Sequence, residues 1–420
     1  MLFDIRNYGA VGNGEQLNTS AIQKAIDDCN SSGGGRVLVA GGVYKTSTFF
    51  LKSNVELHIA ADGVLLGPSE CEDYPEIENV KHIDTNEHIF PRHRSACLIY
   101  CEESENVSIT GMGKIDGNGS CFVAENPLAP EDPKGMHIHK IRLNNRTPAF
   151  VVVFAGCKNI KVEGITMCNQ PPAWFCWVHD CDYAFFDKCN IIASPDYPNS
   201  DGIHINSSRN VTVSNCNICC GDDALVVRAC NITLKENKVC EKVTVVNCNL
   251  SSTANAIRIG WTNDGVIKNC VFSNLTMTDS RNGICIHLPG RDEEPKFRDE
   301  GREATAIENL SFNNIVMDGI YGHPVRILIS EGKYTLCNYI KNIDFSNIRA
   351  DSLDDIFIMG RKDNSVKNIT FSGCTFNKFL SNTDAKFKYN KAAQIQRPEE
   401  VSNIMYTENI QFRDTTVTIV

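Results

Sequence analysis

Three carboxylates, Asp201, Asp222 and Asp223, stand at matching points of two consecutive segments. The first reads Asn199-Ser200-Asp201-Gly202-Ile203-His204-Ile205 and the second Gly221-Asp222-Asp223-Ala224-Leu225-Val226-Val227. In each, an Asp opens an alternating run with apolar residues at +2 and +4. Carboxylates at one phase of a repeat can stack on one face. Close carboxylates repel as anions, which keeps one of them protonated near neutrality. A protonated and an ionised carboxyl together supply the general acid and general base that glycosidic bond hydrolysis uses. Blander readings compete. An Asp at a strand start is also a turn former, and Asp222-Asp223 carries the clustered oxygens that calcium takes. We assign no metal and no cofactor.

Two further segments share the pattern. Asp201-Gly-Ile-His-Ile, Asp223-Ala-Leu-Val-Val, Asn255-Ala-Ile-Arg-Ile and Asn282-Gly-Ile-Cys-Ile start 22, 32 and 27 residues apart. Their +2 and +4 residues must point inward, so +1, +3 and +5 point to the opposite face. One outer column then holds His204, Val226, Arg258 and Cys285, and a second holds Asn206, Arg228, Gly260 and His287. The candidate substrate contacts are His204, Arg228, Asn255, Arg258, Trp261, His287 and Arg291. His204 reads as a cleft-wall hydrogen bonder rather than a proton carrier. His137-Ile138-His139 looks like a metal pair, but two residues do not make a site.

What must position these residues is a repeat. A short alternating pattern recurs at Asn106, Asn159, Asn210, Lys242, Asn309, Asn342, Asn368 and Asn409. Each copy reads as a half-buried strand. Some gaps are about double, from a divergent rung or a loop insertion. Repeats of this length with almost no helix signal predict an all-β, single-domain right-handed parallel β-helix over residues 1–420. Repeated Asn and Cys would form turn-lining or inward ladders. Residues 18–30 read as one helix with Ala21, Ile22, Ala25, Ile26 and Cys29 on its apolar face. Asn18 or Thr19 would be its N-cap, and Gly33-Gly34-Gly35 would end it. It is expected to cap the N-terminal end of the coil. Residues 68–95, 116–147 and 289–304 break the rhythm and are expected to be loops on the binding face.

Composition narrows the function. A net charge of −10 with no basic block argues against nucleic acid or an anionic membrane surface as partner. No stretch approaches the roughly 18 apolar residues of a membrane span. The start, Met1-Leu2-Phe3-Asp4-Ile5-Arg6, lacks the basic and apolar regions of an export signal, which predicts a cytoplasmic protein. The 20 Cys have no zinc-type spacing and read as buried, reduced, small apolar residues. Self-association is left open.

These residues resemble glycoside hydrolase family 28, the polygalacturonases and their relatives, over most of the chain. The opening Phe3-Asp4-Ile5-Arg6-Asn7-Tyr8-Gly9-Ala10 and the run Gly113-Lys114-Ile115-Asp116-Gly117-Asn118-Gly119 are typical of it. The family's Asn-Thr-Asp resembles Asn199-Ser200-Asp201, and its Gly-Asp-Asp is Gly221-Asp222-Asp223. The resemblance implies single-displacement hydrolysis with inversion. Asp222 would protonate the leaving oxygen, and Asp201 and Asp223 would activate water. The residues alone leave these roles unassigned. Two family motifs are replaced: Gly-His-Gly by Ala254-Asn255-Ala256, and Arg-Ile-Lys by Cys285-Ile286-His287. In polygalacturonases that Arg and Lys hold the galacturonate carboxylate. Here Arg258 could supply a replacement charge, with His287 as a weaker, titratable donor; a neutral sugar is the other option. The reading is an inverting, exo-acting hydrolase of pectin-derived or related oligosaccharides. A β-helix lyase and a non-catalytic carbohydrate-binding solenoid are the alternatives.

Overall fold

The computed structural model describes residues 1–75, 77, 97–126, 140–144, 147–292, 304–380 and 403–420. The chain folds as coils of short strands, and the described residues contain one α-helix, Thr19–Ser31. Contacts divide it into two compact units. The first holds the described residues up to His204 together with Arg209–Gly221, and the second holds Ile205–Ser208 and the described residues from Asp222 onward.

In the first unit, three strand faces stack coil upon coil. Val55–Ile59, Glu105–Gly111, Lys158–Glu163, Asp182–Asp187 and Arg209–Ser214 pair in parallel, each with the next. Gly63–Leu66, Lys114–Asp116, Thr166–Cys168, Asn190–Ile192 and Asn217–Cys220 form the second face. Phe49–Phe50, Ile99–Glu102, Phe150–Ala155 and Trp174–His179 form the third. Register aligns Leu57, Ile109, Val162, Phe186 and Val213 in one column, each fully buried. No coil could bury such a face alone; stacking turns one apolar side chain per coil into a continuous core.

The second unit repeats the plan with longer strands. Val266–Thr278, Thr305–Ile320 and Cys337–Ser352 run continuously round a corner. They turn at paired left-handed residues, Asn269 and Asn274, Asn309 and Asn314, Asn342 and Asn347. Asn tolerates that conformation because its short amide can bond locally. The amides also stack: Asn342 donates to Asn309 at 3.3 Å, Asn368 to Asn342 at 2.9 Å and Asn409 to Asn368 at 2.9 Å. Phe272, Phe312, Phe345, Phe371 and Phe412 form a stack with successive ring spacings of 4.7, 5.0, 4.7 and 5.0 Å, the first four fully buried and Phe412 exposed. The expected Asn and Cys ladders are therefore divided. Asn lines the turns, whereas 15 of the 20 thiols are buried and all of them are free.

The doubled gaps resolve both ways. Between Asn159 and Asn210 a divergent coil intervenes, Asp182–Asp187, and between Lys242 and Asn309 another does, Val266–Thr278. Between Asn106 and Asn159, and between Asn368 and Asn409, flanking strands pair directly, so those gaps are insertions.

The helix expected over 18–30 spans Thr19–Ser31, with Asn18 and Ser32 at its caps and left-handed Gly33 just beyond, and it buries Ile22, Ala25, Ile26 and Cys29. Ala21 is only half-buried. Asn18 occupies the cap position, but its side chain makes no cap bond. It turns inward instead, accepting from the Val11 amide at 2.7 Å and donating to the carbonyl of Gln16 at 2.7 Å. Three chain segments compete for this buried amide, and joining them outweighs satisfying one helix N–H.

Of the interrupting segments, the described part of 116–147 contains an antiparallel pair, Val123–Glu125 with Lys140–Arg142. Phe122 packs there against Cys71 and Tyr74 from the 68–95 segment. Only 289–292 and 304 of the third segment are described, and His137 and His139 lie outside the described residues.

Candidate active site

Asp201 ends the turn before strand Ile203–Asn206. Its backbone is pinned, since its carbonyl accepts from Gln170 Nε2 at 2.8 Å and from the Phe175 amide at 2.9 Å. Its carboxylate Oδ2 lies 2.9 Å from His204 Nε2, and both side chains are buried. The His204 ring lies nearly flat on Trp174, centroids 3.7 Å apart. His204 is thereby fixed as a hydrogen-bonding neighbour of Asp201. Arg142, from the 116–147 segment, donates to Asn199 Oδ1 and to the Pro172 carbonyl.

One bond joins the two carboxylate motifs. The Gly221 amide donates to Ser200 Oγ at 3.1 Å. Asp201 follows Ser200 directly, and Asp222-Asp223 follows Gly221 directly, so each carboxylate lies within two residues of this bonded pair. Only glycine fits at 221. A Cβ there would come within 2.4 Å of Ser200 Oγ and 2.5 Å of the Ser194 carbonyl. The Ser-for-Thr replacement keeps the hydroxyl that the joint needs.

Downstream, Asp222 Oδ1 accepts from the Asp223 amide at 2.9 Å, and the Asp222 carbonyl accepts from Ser252 Oγ at 2.5 Å. Asp223 Oδ1 accepts from Asn255 Nδ2 at 2.5 Å, Asn255 Oδ1 from Asn282 Nδ2 at 2.9 Å, and Asn282 Oδ1 from the His323 amide at 3.0 Å. The expected Asp223, Asn255, Asn282 column is thus a hydrogen-bonded ladder. Asn255 contacts the carboxylate from the place where the Gly-His-Gly motif is replaced.

The outer columns of the second unit follow the register. Val226 pairs with Arg258, Arg258 with Cys285, and Cys285 with Arg326. Arg258 is 3% exposed; it donates to the His287 carbonyl at 2.8 Å and lies 3.3 Å from Cys285 Sγ. Arg228 behaves differently from the expected substrate contact. Its guanidinium is committed to Asp264 through two bonds, 3.0 and 2.7 Å, and Asp264 is fully buried. Both guanidiniums lie over Trp261, Arg258 at 4.9 Å and Arg228 at 5.3 Å. The indole is 44% exposed, a braced flat surface of the kind sugar rings stack on.

His287 corrects the expectation of a titratable donor. Burial, then the nearby Arg258 and Arg326 charges, push its pKa down to about 2. Its Nδ1 faces Arg326 Nη1 at 3.4 Å and its Nε2 faces Ser330 Oγ at 3.0 Å. Arginine only donates, so Nδ1 is the acceptor and Nε2 carries the proton. At Arg291 the backbone is held by Thr335 Oγ1 and the Tyr334 amide. Reading four rungs missed Arg326 and Asp264. Arg326 had a signal: Val325, Ile327 and Ile329 alternate inward, which puts Arg326 in the next place of the Arg258 column.

A sequence profile described as Glycosyl hydrolases family 28 matches residues 77–394. The chain belongs to this family. Family 28 membership makes it a glycosidase that hydrolyses O-glycosyl bonds, and the fold is the expected right-handed parallel β-helix. Among similar proteins, an exopolygalacturonase of Zea mays is 26% identical, the match covering 74% of this chain and 76% of that one. The exo-poly-alpha-D-galacturonosidase of Dickeya chrysanthemi is 27% identical over 53% of this chain and 41% of its own. Two solved structures share the fold. The Thermotoga maritima exopolygalacturonase has a TM-score of 0.70 at 21% identity, covering 90% of this chain and 87% of its own. The Yersinia enterocolitica family 28 exopolygalacturonase has 0.71 at 18%, covering 100% and 78%.

Proposed function

We propose that this family 28 enzyme removes galacturonic acid residues from the ends of pectin-derived oligosaccharides, with inversion at the anomeric carbon. The observation that supports the hydrolytic reading is the Ser200–Gly221 bond, which ties the residue before Asp201 to the residue before Asp222-Asp223. In this reading Asp222 gives its proton to the glycosidic oxygen as the bond from C1 to that oxygen breaks. A water attacks C1 from the opposite side and passes its proton to the Asp201 or Asp223 carboxylate. His204 and Asn255 each hold one of those two carboxylates in place. The exo mode is supported by the similar proteins named as exopolygalacturonases.

Anomer-resolved NMR on a panel of oligogalacturonides and neutral galacto-oligosaccharides tests this. The expected result is release of the monosaccharide with inverted configuration from galacturonides. Retained configuration, or products carrying the double bond of an elimination, would overturn the mechanism. Sole activity on neutral chains would overturn the substrate.

A further inference from the structure

Asp223 stands at one end of a row of side-chain amides that has a direction built into it. Its Oδ1 accepts from Asn255 Nδ2 at 2.5 Å, Asn255 Oδ1 accepts from Asn282 Nδ2 at 2.9 Å, and Asn282 Oδ1 accepts from the His323 backbone amide at 3.0 Å. A side-chain amide can be turned end for end, which exchanges its donor and its acceptor. A backbone N–H can only donate. Because the His323 N–H stands at the far end, Asn282 must offer it oxygen. Asn282 Nδ2 then faces Asn255, and Asn255 Nδ2 then faces the carboxylate. Reversing either amide alone would set donor against donor at one of its ends and oxygen against oxygen at the other.

The row is enclosed. Asp223 and Asn282 are buried and Asn255 is half-buried. A Cβ on Gly322, just before His323, would come within 2.9 Å of Asn282 Oδ1 and 2.5 Å of the Arg281 carbonyl, so glycine leaves the far end its space. The His323 ring stays out of the row: its Nδ1 donates to the Asp355 carbonyl at 2.7 Å, and its Nε2 lies 3.9 Å from the Asp354 carboxylate. At the near end, one oxygen each of Asp201, Asp222 and Asp223 lie within 4.8 Å of one another. Arg228, paired with Asp264, feels the Asp223 charge. Asp201 has His204 for its neighbour, a group that titrates. The amide beside Asp223 does not titrate, so its donor is present at every pH.

We propose that Asn282 is a positioning residue for hydrolysis: with the His323 backbone N–H it sets the polarity of this row and so keeps Asp223 an acceptor, aimed for the proton of the attacking water. Asn282 lies two rungs from Asp223 and acts on it through Asn255. The inference rests on the hydrolytic reading above, in which Asp223 is one of the two water-activating carboxylates.

The test is Asn282→Asp, which keeps the shape and makes the polarity depend on pH. Once ionised, the introduced carboxyl accepts from both neighbours. It then turns Asn255 round and sets an amide oxygen against Asp223. While protonated, it donates to Asn255 and keeps the native order. At about pH 8, kcat on oligogalacturonides should fall about 10- to 100-fold below native with KM little changed, and the deficit should close toward about pH 4. Asn282→Ala leaves Asn255 free to keep its orientation and should lose less than Asn282→Asp at the higher pH. A role in packing alone reverses that order and gives a deficit independent of pH; either result would overturn the proposal. A second readout needs no turnover. In protein labelled at asparagine nitrogen, with the Asn255 amide identified through Asn255→Ala, that signal should lie downfield in the native chain. Asn282→Asp should move it upfield at the higher pH and restore it at the lower. An Asn255 signal that stays put would sink the proposal. The expected shift in a protein that cleaves no galacturonide would leave the row standing and remove the substrate reading instead.

Discussion

Asp222 carries the sharpest expectation at the scale of single residues. Replacing it with Asn keeps the shape and removes the transferable proton. Turnover should fall by at least about 10²- to 10⁴-fold, with an unchanged far-ultraviolet spectrum and melting temperature. Near-native turnover by Asp222→Asn would move the acid role elsewhere. His287 gives a pH expectation. Its folded pKa lies near 2, against an ordinary value of 6.5. Between these values the unfolded chain takes up a proton that the folded protein refuses. Its contribution is therefore complete above pH 6.5 and lost as pH falls from 6.5 toward 2, at up to about 1.4 kcal/mol per pH unit. His287→Gln, still facing Arg258, Arg326 and Ser330, should flatten urea stability between pH 6.5 and 4.5 relative to the native protein. Parallel decline of the two would mean that His287 is charged in the fold. The carboxylates were legible from sequence because type and spacing mark them. The fate of Arg228 was not, since its partner Asp264 lies 36 residues away and only folding brings them together.

At the scale of elements, the Gly221 turn and the phenylalanine stack are the vulnerable parts. Gly221→Ala would push a methyl into Ser200 Oγ and the Ser194 carbonyl. It should cost about 1–3 kcal/mol and depress kcat more than that loss explains, since the turn carries Asp222 and Asp223. Unchanged kcat would show that the joint does not set their geometry. Phe345 is fully buried between Phe312 and Phe371. Phe345→Ala should cost about 3–5 kcal/mol by chemical denaturation while sparing the activity of whatever fraction folds. Alternation showed which residues point inward and which outward, because the period of two is a property of the strand itself. It could not say how many coils a long gap holds. A coil and an insertion of equal length differ only in which strands pair afterwards. The Asn18 cap failed for a related reason: its inward partners, Val11, Gln16 and Lys45, are set by tertiary structure.

For the whole molecule, the thiols give the most direct check. All 20 are free, and Cys219 is the exposed one. A thiol reagent should modify all 20 in denaturant and Cys219 fastest in the native protein. Fewer than 20 after denaturation without reductant would reveal disulfides. No described helix is long and apolar enough to cross a membrane. The coil architecture was legible from its repeat, which is visible in sequence because each rung solves the same burial problem.

The register of Arg258, Cys285 and Arg326 has one more consequence. They are neighbours in space but lie 27 and 41 residues apart in sequence. On a stacked scaffold the outward positions are interchangeable sockets, each about 4.8 Å from the next. A cation can be transposed by one socket without disturbing the inward side chains. A residue-by-residue comparison would then score the Arg-Ile-Lys motif as lost. Counting charge along the column instead finds Arg258 one rung before Cys285 and Arg326 one rung after it.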